Sequence, residues 1–345
     1  MIYINGKFLT QQITGVQKFA LQITKHLIQI DDDIRILVPL NCAISNTEKV
    51  ILSHIVRIGS GTPLRWEQIT IPTFLKSKGN PILLNFSGLG PVFYKNKITT
   101  IHDLSFWEHP EWFSKKYYLF YRILIPFTAK NSRFILTVSN YSKEIITKKL
   151  KIDPSIIEVI YNAVEPCRCD LVKNKRYKHI LAVGSLDPRK NLKRLINAFI
   201  LWNNKDYRLI VVGGKQNSFS KLDLPTNNNV VFTGYVADET LHKYYSESEI
   251  FVYPSLYEGF GIPPLEAMAH GLPVIASNVT SLPEACGKAA EYIDPNSVKS
   301  IIHALDKVSS NTKLRDEMIR KGYENIQRFS WKKSAQKIND FICKL

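Results

Sequence analysis

Tyr257-Glu258-Gly259-Phe260-Gly261-Ile262-Pro263-Pro264-Leu265-Glu266-Ala267-Met268-Ala269-His270-Gly271 lies between two short apolar runs. Ile250-Phe251-Val252-Tyr253-Pro254-Ser255 precedes it and Pro273-Val274-Ile275-Ala276-Ser277 follows it. Both runs read as buried strands. Between them come a glycine turn and a helix opening at Pro263 or Pro264, because proline suits the first helical position. Such a strand–turn–helix points backbone N–H groups and the positive end of a helix dipole at whatever lies above the turn, which favours a phosphate. Glu258 precedes the helix and Glu266 sits about one turn inside it, so two carboxylates flank the same spot. An ordinary βαβ turn, with glutamates that only cap and solvate the helix, is the plain alternative.

Outward from this stretch the pattern repeats. Apolar runs at Ile34–Val38, Ile82–Phe86, Ile98–Ile101 and Phe134–Val138 alternate with helical or loop stretches. A second series follows at Ile180–Val183, Leu209–Val212, Val230–Phe232, Ile250–Tyr253 and Val274–Ala276. Short buried strands alternating with helices imply parallel sheets covered on both faces. Two series in 345 residues predict two Rossmann-like halves, with ligand in the cleft at the strands' carboxyl ends. The boundary falls between Pro166 and Lys178, where the chain turns polar and loses all periodicity. After it, Asn311 to Arg328 reads as helix, then Phe329-Ser330-Trp331 introduces Lys332 to Leu345. Ser330 is the expected N-cap, and Ala335, Ile338, Phe341 and Ile342 form an apolar stripe.

The C-terminal half holds the strongest chemistry. Gly184-Ser185-Leu186-Asp187-Pro188-Arg189-Lys190-Asn191 ends a strand and enters a helix, Leu192 to Trp202. Arg189 and Lys190 therefore project at the same carboxyl edge as the Glu258 turn. Two fixed cations there can bind a diphosphate and stabilise its charge as it departs. Reading them as a basic helix start opposes the dipole, which itself points to an anion. In the N-terminal half, Thr14 can cap a helix running from Gly15 to about Ile30, and Gly15 allows close approach of a ligand. His102 and Asp103 end a strand at the sheet edge; Asp103 either orients the imidazole or caps the next loop. Pro63-Leu64-Arg65-Trp66-Glu67-Gln68 carries no firm role beyond helix packing.

The Glu-x7-Glu run E-G-F-G-x-P-x-x-E-A-M-A-x-G resembles the donor-site signature of the family 4 (group 1) retaining glycosyltransferases, which have the GT-B fold. That resemblance implies two Rossmann-like domains facing a cleft, with a last helix crossing back. Residues 1–166 would be the acceptor domain, 167–328 the nucleotide-sugar domain, and 329–345 the crossover helix. It implies catalytic roles for Glu258, Arg189, Lys190 and His102, with His102 contacting the donor sugar. Donor binding falls to Gly15, Ser185, Gly234, Tyr235, Val236, Gly259, Phe260, Gly261 and Glu266, the last on the ribose hydroxyls. Gly15 faces either the donor's phosphate or the acceptor. Many relatives carry arginine directly after the glycine where this chain has Ser185, so Arg189 would supply the guanidinium. The Gly-Val-Gln opening at residue 15 is similar to enzymes that extend bacterial O-antigen or capsule units on a lipid-diphosphate carrier, which implies a donor of mannose or rhamnose type. Retention by same-face attack needs no covalent carboxylate, unlike the paired carboxylates of hydrolases. Asp31-Asp32-Asp33 reads as a polar turn, so no metal and no cofactor are expected. A GT-B nucleotide-sugar epimerase is the alternative enzyme, and a basic nucleotide- or nucleic-acid-binding protein the non-enzymatic one.

Composition adds partners and setting. The net charge is +16; it suits an anionic membrane surface or nucleic acid, or is a compositional bias on solvated faces. No nucleic-acid recognition motif accompanies it. Trp112 to Lys130 mixes Phe113, Tyr117, Tyr118, Phe120, Tyr121, Ile123, Leu124, Ile125 and Phe127 with Lys115, Lys116, Arg122 and Lys130. Core packing is the commoner explanation of such a stripe, and contact with the membrane interface the other. Met1-Ile2-Tyr3-Ile4-Asn5 enters a strand directly, no run is long enough to span a membrane, and five scattered cysteines suggest a reduced compartment. The expected setting is cytoplasmic, peripheral on the inner face of the cell membrane.

Overall fold

The computed structural model describes residues 1–44, 49–167, 178–214 and 224–344. The chain folds into two compact units: Met1–Leu104, Leu119–Asn162 and Ser330–Leu345 form one, and Ser105–Tyr118 and Ala163–Phe329 the other. The expected boundary segment lies largely outside the described residues. Ser105–Tyr118 falls in the second unit rather than with residues 1–166. His109, in that segment, stacks on Trp112 at 3.8 Å and meets the ring of Tyr257 edge-on at 5.9 Å.

The first unit is a seven-stranded parallel sheet: β1 (Ile2–Asn5), β2 (Ile34–Val38), β3 (Ile55–Arg57), β4 (Leu83–Asn85), β5 (Lys97–Thr100), β6 (Phe134–Thr137) and β7 (Ile157–Val159), in the order β3-β2-β1-β4-β5-β6-β7. Its helices include α1 (Gly15–Ile30), whose Thr14 N–H donates to the Gln17 side chain at 3.3 Å, in line with the expected cap. Then come α2 (Lys49–Leu52), α3 (Pro63–Arg65) and α4 (Ile71–Ser77). Next along the chain are α5 (Ser105–Glu108), which belongs to the second unit, α6 (Lys115–Lys130), which enters the first unit at Leu119, and α7 (Asn140–Leu150).

The second unit repeats the plan with β8 (Lys178–Val183), β9 (Tyr207–Val212), β10 (Val230–Gly234), β11 (Ile250–Tyr253), β12 (Val274–Ser277) and β13 (Ala290–Ile293), ordered β10-β9-β8-β11-β12-β13 and all parallel. Its helices are α8 (Leu192–Trp202), α9 (Asp238–Glu247), α10 (Ile262–Ala269), α11 (Leu282–Cys286), α12 (Val298–Ser310) and α13 (Thr312–Ile326). Leu195, Ile196, Leu209, Val211, Val252 and Ile301 are fully buried in one core on this sheet. Strands whose every residue is buried, such as β11 and β12, lack alternation because helices cover both faces.

The last helix, α14 (Trp331–Ile342), belongs to the first unit, and Ser330 caps it by accepting from the Lys333 N–H. Ala335 and Ile338 are fully buried; Ser334 Oγ donates to Tyr161 O at 2.8 Å and Lys337 Nζ to Val159 O at 3.0 Å. The chain therefore leaves the first sheet, builds the second, and returns. No described helix is long and apolar enough to cross a membrane.

Candidate functional site

In the second sheet the chain steps from β8 outward through β9 to β10, then jumps to the other side of β8 as β11. The gap between β8 and β11 is the topological switch point, where ligands of open α/β sheets bind beyond the carboxyl ends. Ile250 pairs with Ile180 and Phe251 with Leu181, so the loops after the two strands emerge side by side. One carries Arg189 and Lys190, the other Glu258.

Those three side chains meet. Lys190 Nζ donates to Glu258 Oε1 at 2.7 Å and to the Tyr253 hydroxyl at 2.7 Å, while Arg189 Nη1 donates to Glu258 Oε2 at 3.2 Å. Burial raises the Glu258 pKa, but the charges of Lys190 and Arg189 outweigh it and hold the carboxyl at about 2. Burial, reinforced by Arg189, pulls Lys190 below its ordinary range against the opposing pull of Glu258 and Asp187. Ser185 donates to the buried Asp187, whose other oxygen lies 3.8 Å from Arg189 Nε. Glu258 and Asp187 thus balance Arg189 and Lys190.

The two cations sit in the loop between β8 and α8 and do not begin the helix. They occupy a separate 3-10 turn, Pro188–Lys190, and Asn191 at φ +56° breaks it from α8. The turn is locked in place: Leu256 N–H donates to Arg189 O at 2.8 Å, and Asn191 Nδ2 to Pro254 O and Pro295 O at 3.0 and 2.7 Å.

The Glu258 turn is held from the loop that follows β12. Ser281 Oγ lies 2.9 Å from Glu258 O and 3.0 Å from Phe260 O, and Glu258 N–H donates to Thr280 Oγ1. Gly259, Phe260 and Gly261 complete the turn, with Gly261 at φ +102°, where a Cβ would strike Leu282 at 2.7 Å. The helix after it opens at Ile262, with Pro263 in its first turn, one residue before the earlier of the two expected starts. Glu266 follows on α10, its Oε2 accepting from the Tyr245 hydroxyl of α9 at 3.0 Å.

Ser185, Gly234 and Tyr235 reach the same sheet edge through backbone links. Leu186 N–H donates to Gly214 O and Gly213 N–H to Gly234 O, both at 3.0 Å, tying together the loops after β8, β9 and β10. Gly234 has φ +72°, and Tyr235 is exposed, with Val236 next to it.

His102 and Gly15 lie in the first unit. Gly15 is exposed as the first residue of α1. His102 Nε2 faces Phe86 O at 2.9 Å and its ring packs edge-on against Phe19. A carbonyl only accepts, so Nε2 carries the proton and Nδ1 is an acceptor. Burial lowers the His102 pKa against the Phe86 carbonyl and Asp103, which favours that neutral form.

The structure adds participants that the sequence reading misses. Asp187 stands inside the Asp-Pro-Arg-Lys-Asn run, and Tyr253 inside a run that reads only as strand. In the first unit Asn5 Nδ2 donates to Glu67 Oε1 at 2.9 Å and Asn85 Oδ1 at 2.8 Å, and Lys7 Nζ pairs with Glu67 Oε2 at 2.5 Å. Asn5 and Asn85 end β1 and β4, the first sheet's own switch point. The Pro63–Gln68 stretch does more than pack a helix, because its Glu67 is the buried carboxylate of this cluster.

Comparison with known proteins gives the family. Residues 166–325 match the model described as "Glycosyl transferases group 1", and residues 13–168 the one described as "Glycosyltransferase Family 4". The O-antigen chain mannosyltransferase RfbU of Salmonella typhimurium is 34% identical over 220 residues, 62% of this chain and 61% of RfbU. The chain's match thus spans less than two thirds of RfbU. O-antigen chain mannosyltransferase B of Escherichia coli is 32% identical over 283 residues, 73% of each chain. The solved sucrose-phosphate synthase of Thermosynechococcus elongatus superposes with a TM-score of 0.76 at 16% identity, covering 99% of this chain and 98% of that one; at this identity the likeness speaks to the fold. With two parallel-sheet units, a returning last helix, and a relative matched over 73% of its length, the chain belongs to the family 4, group 1 glycosyltransferases of the GT-B fold.

Proposed function

We propose that the chain is a metal-independent retaining glycosyltransferase that moves a hexosyl group, of mannose type, from a nucleoside-diphosphate donor to a lipid-linked bacterial surface glycan. The observation that carries this reading is the Glu258–Lys190–Arg189 node at the β8/β11 switch point. The names of the two mannosyltransferase relatives favour mannose and O-antigen.

The chemistry follows from protonation states. As the donor's anomeric C–O bond breaks, negative charge grows on the leaving diphosphate, and Arg189 and Lys190 supply fixed positive charge with the turn at Phe260 and Gly261. Glu258, held at about 2, is ionised at neutral pH. It accepts from sugar hydroxyls and gives up no proton. His102, neutral with its acceptor Nδ1, likewise receives a hydroxyl and does not protonate a leaving group. The resemblance to the retaining family implies that the acceptor's proton passes to the departing phosphate as the new C–O bond forms on the same face. Glu266 takes the ribose hydroxyls, steadied by Tyr245. The Asn5–Glu67–Asn85–Lys7 cluster is proposed as the acceptor side.

Peripheral membrane contact belongs to the same reading. Core packing accounts for Ile125, Thr128 and Ala129 on one face of α6 but not for Leu119, Phe120, Ile123 and Phe127, which are 59%, 39%, 50% and 50% exposed. With Lys116 and Lys130 they fall on one helical stripe, rings and cations together, as an interfacial helix requires.

The deciding measurement is a panel of nucleoside diphosphates and nucleotide sugars, read first by thermal stabilisation and then by transfer to a lipid-linked acceptor. Binding raises apparent stability by mass action. The expected result is stabilisation by one nucleoside diphosphate and its mannose-type sugar, with an α-configured product that still forms after chelation. No stabilisation by any of them would sink the reading.

A further inference from the structure

Outside the diphosphate-facing node, three side chains of metal-ligating type converge: Cys167, His242 and His270, whose Sγ and ring nitrogens all lie within 4.8 Å of one another. They come from separate segments, with Cys167 before β8, His242 on α9 and His270 at the end of α10. We propose that this cluster binds a zinc-like divalent cation that clamps α9, the end of α10 and the segment ending at Cys167 together.

The surroundings favour a metal over a chance meeting. His270 Nδ1 lies 2.7 Å from Glu266 O, which only accepts, so Nδ1 carries the proton and Nε2 presents its lone pair to His242. Metal-bound histidines are oriented by this kind of outer hydrogen bond to a carbonyl. The Tyr245 ring stacks on His270 at 4.9 Å and fixes its plane. Cys167 N–H donates to Ala269 O at 3.3 Å, which registers the thiol beside α10. It is in no disulfide.

His242 Nδ1 and His270 Nε2 are 2.8 Å apart, a hydrogen bond. A tetrahedral ion with metal–nitrogen bonds of about 2.0–2.1 Å needs about 3.3 Å between them, so the rings open by about half an ångström. His242 is exposed and provides both that movement and an entry path. On binding, its Nδ1 proton moves to Nε2, the Cys167 thiol proton leaves to solvent, and one metal–sulfur and two metal–nitrogen bonds form. One thiolate with two imidazoles suits zinc rather than magnesium or calcium, and leaves a fourth position for water.

The clamp bears on Glu266. Tyr245, three residues after His242, donates to Glu266 Oε2, so the cation would fix the helix pair that carries that carboxylate. In this role it takes no step in sugar transfer, and metal binding here does not depend on which sugar or acceptor the chain uses.

The test uses the full chain, stripped with a chelator and titrated with Co2+. The expected result is a thiolate-to-cobalt charge-transfer band saturating at one equivalent per chain and displaced by Zn2+. Cys167→Ser should abolish the band, and His242→Ala and His270→Ala should each weaken binding about 10-fold or more. Cys343→Ser and Cys169→Ser should leave it intact. Zn2+ should raise the unfolding temperature of the wild type and not of Cys167→Ser, with circular dichroism confirming that the variants fold. No saturable band, a band that survives Cys167→Ser, or one lost only in Cys169→Ser would overturn the assignment.

Discussion

Glu258 is 5% exposed and ionised, a combination that costs several kcal/mol unless paired charges offset it. Lys190 and Arg189 offset it, and the carboxylate in turn keeps two adjacent cations compatible with burial. Glu258→Gln removes that balance, so it should destabilise the chain by about 3–5 kcal/mol at neutral pH. The sign with pH follows from the depressed pKa. The carboxylate's contribution is complete above its ordinary 4.5 and is lost as pH falls towards about 2, so the gap between wild type and variant should close across that window. Denaturant unfolding at several pH values checks this. A nucleoside diphosphate should restore more stability to the variant than to the wild type, because phosphate supplies the missing negative charge. Glu258 and Glu266 were legible in the sequence because their turn and helix are local. The meeting of Lys190 with Glu258 and Tyr253 was not, since it depends on β8 and β11 lying next to each other.

At the scale of elements, the ends of β8 and β9 approach more closely than any side chain permits. Gly213 has φ +150°, and a Cβ there would lie 1.8 Å from Gly184 O. Gly213→Ala must therefore displace the Gly184–Ser185 loop or the strand end. Strain and overpacking each cost about 1–3 kcal/mol, and a shift of the Arg189 loop by about an ångström should lower transfer about 100-fold. A folded variant with unchanged transfer would show that this approach does not set the loop. Central strands such as β2 and β11 matched their apolar runs residue for residue. Edge strands β3, β7 and β13 were missed: they are three or four residues long, and Arg57, Glu158, Glu291 and Tyr292 interrupt their apolar pattern. A strand with one neighbour and partial cover needs no continuous apolar signature.

For the whole molecule, the proposed contact with an anionic bilayer rests on a net charge of +16 together with the exposed apolar stripe of α6. Binding to anionic vesicles should be measurable by co-sedimentation at low salt and weaken as salt screens the charge. It should be lost in the double variant Phe120→Glu, Phe127→Glu while nucleoside-diphosphate binding persists. No binding of the wild type at low salt would remove the membrane from the proposal. By itself the sequence determined two parallel α/β units, the glycine turn and helix within residues 257–271, the cap at Ser330 and the family. Those features rest on hydrophobic period, glycine and proline placement, and caps, all of which act over a few residues. Only the tertiary structure decided that Arg189 and Lys190 are neutralised by Glu258 and Asp187, that α6 turns its rings outward, and that Cys167 meets two histidines. Each depends on strand order or helix orientation, and therefore on contacts between residues far apart in the chain.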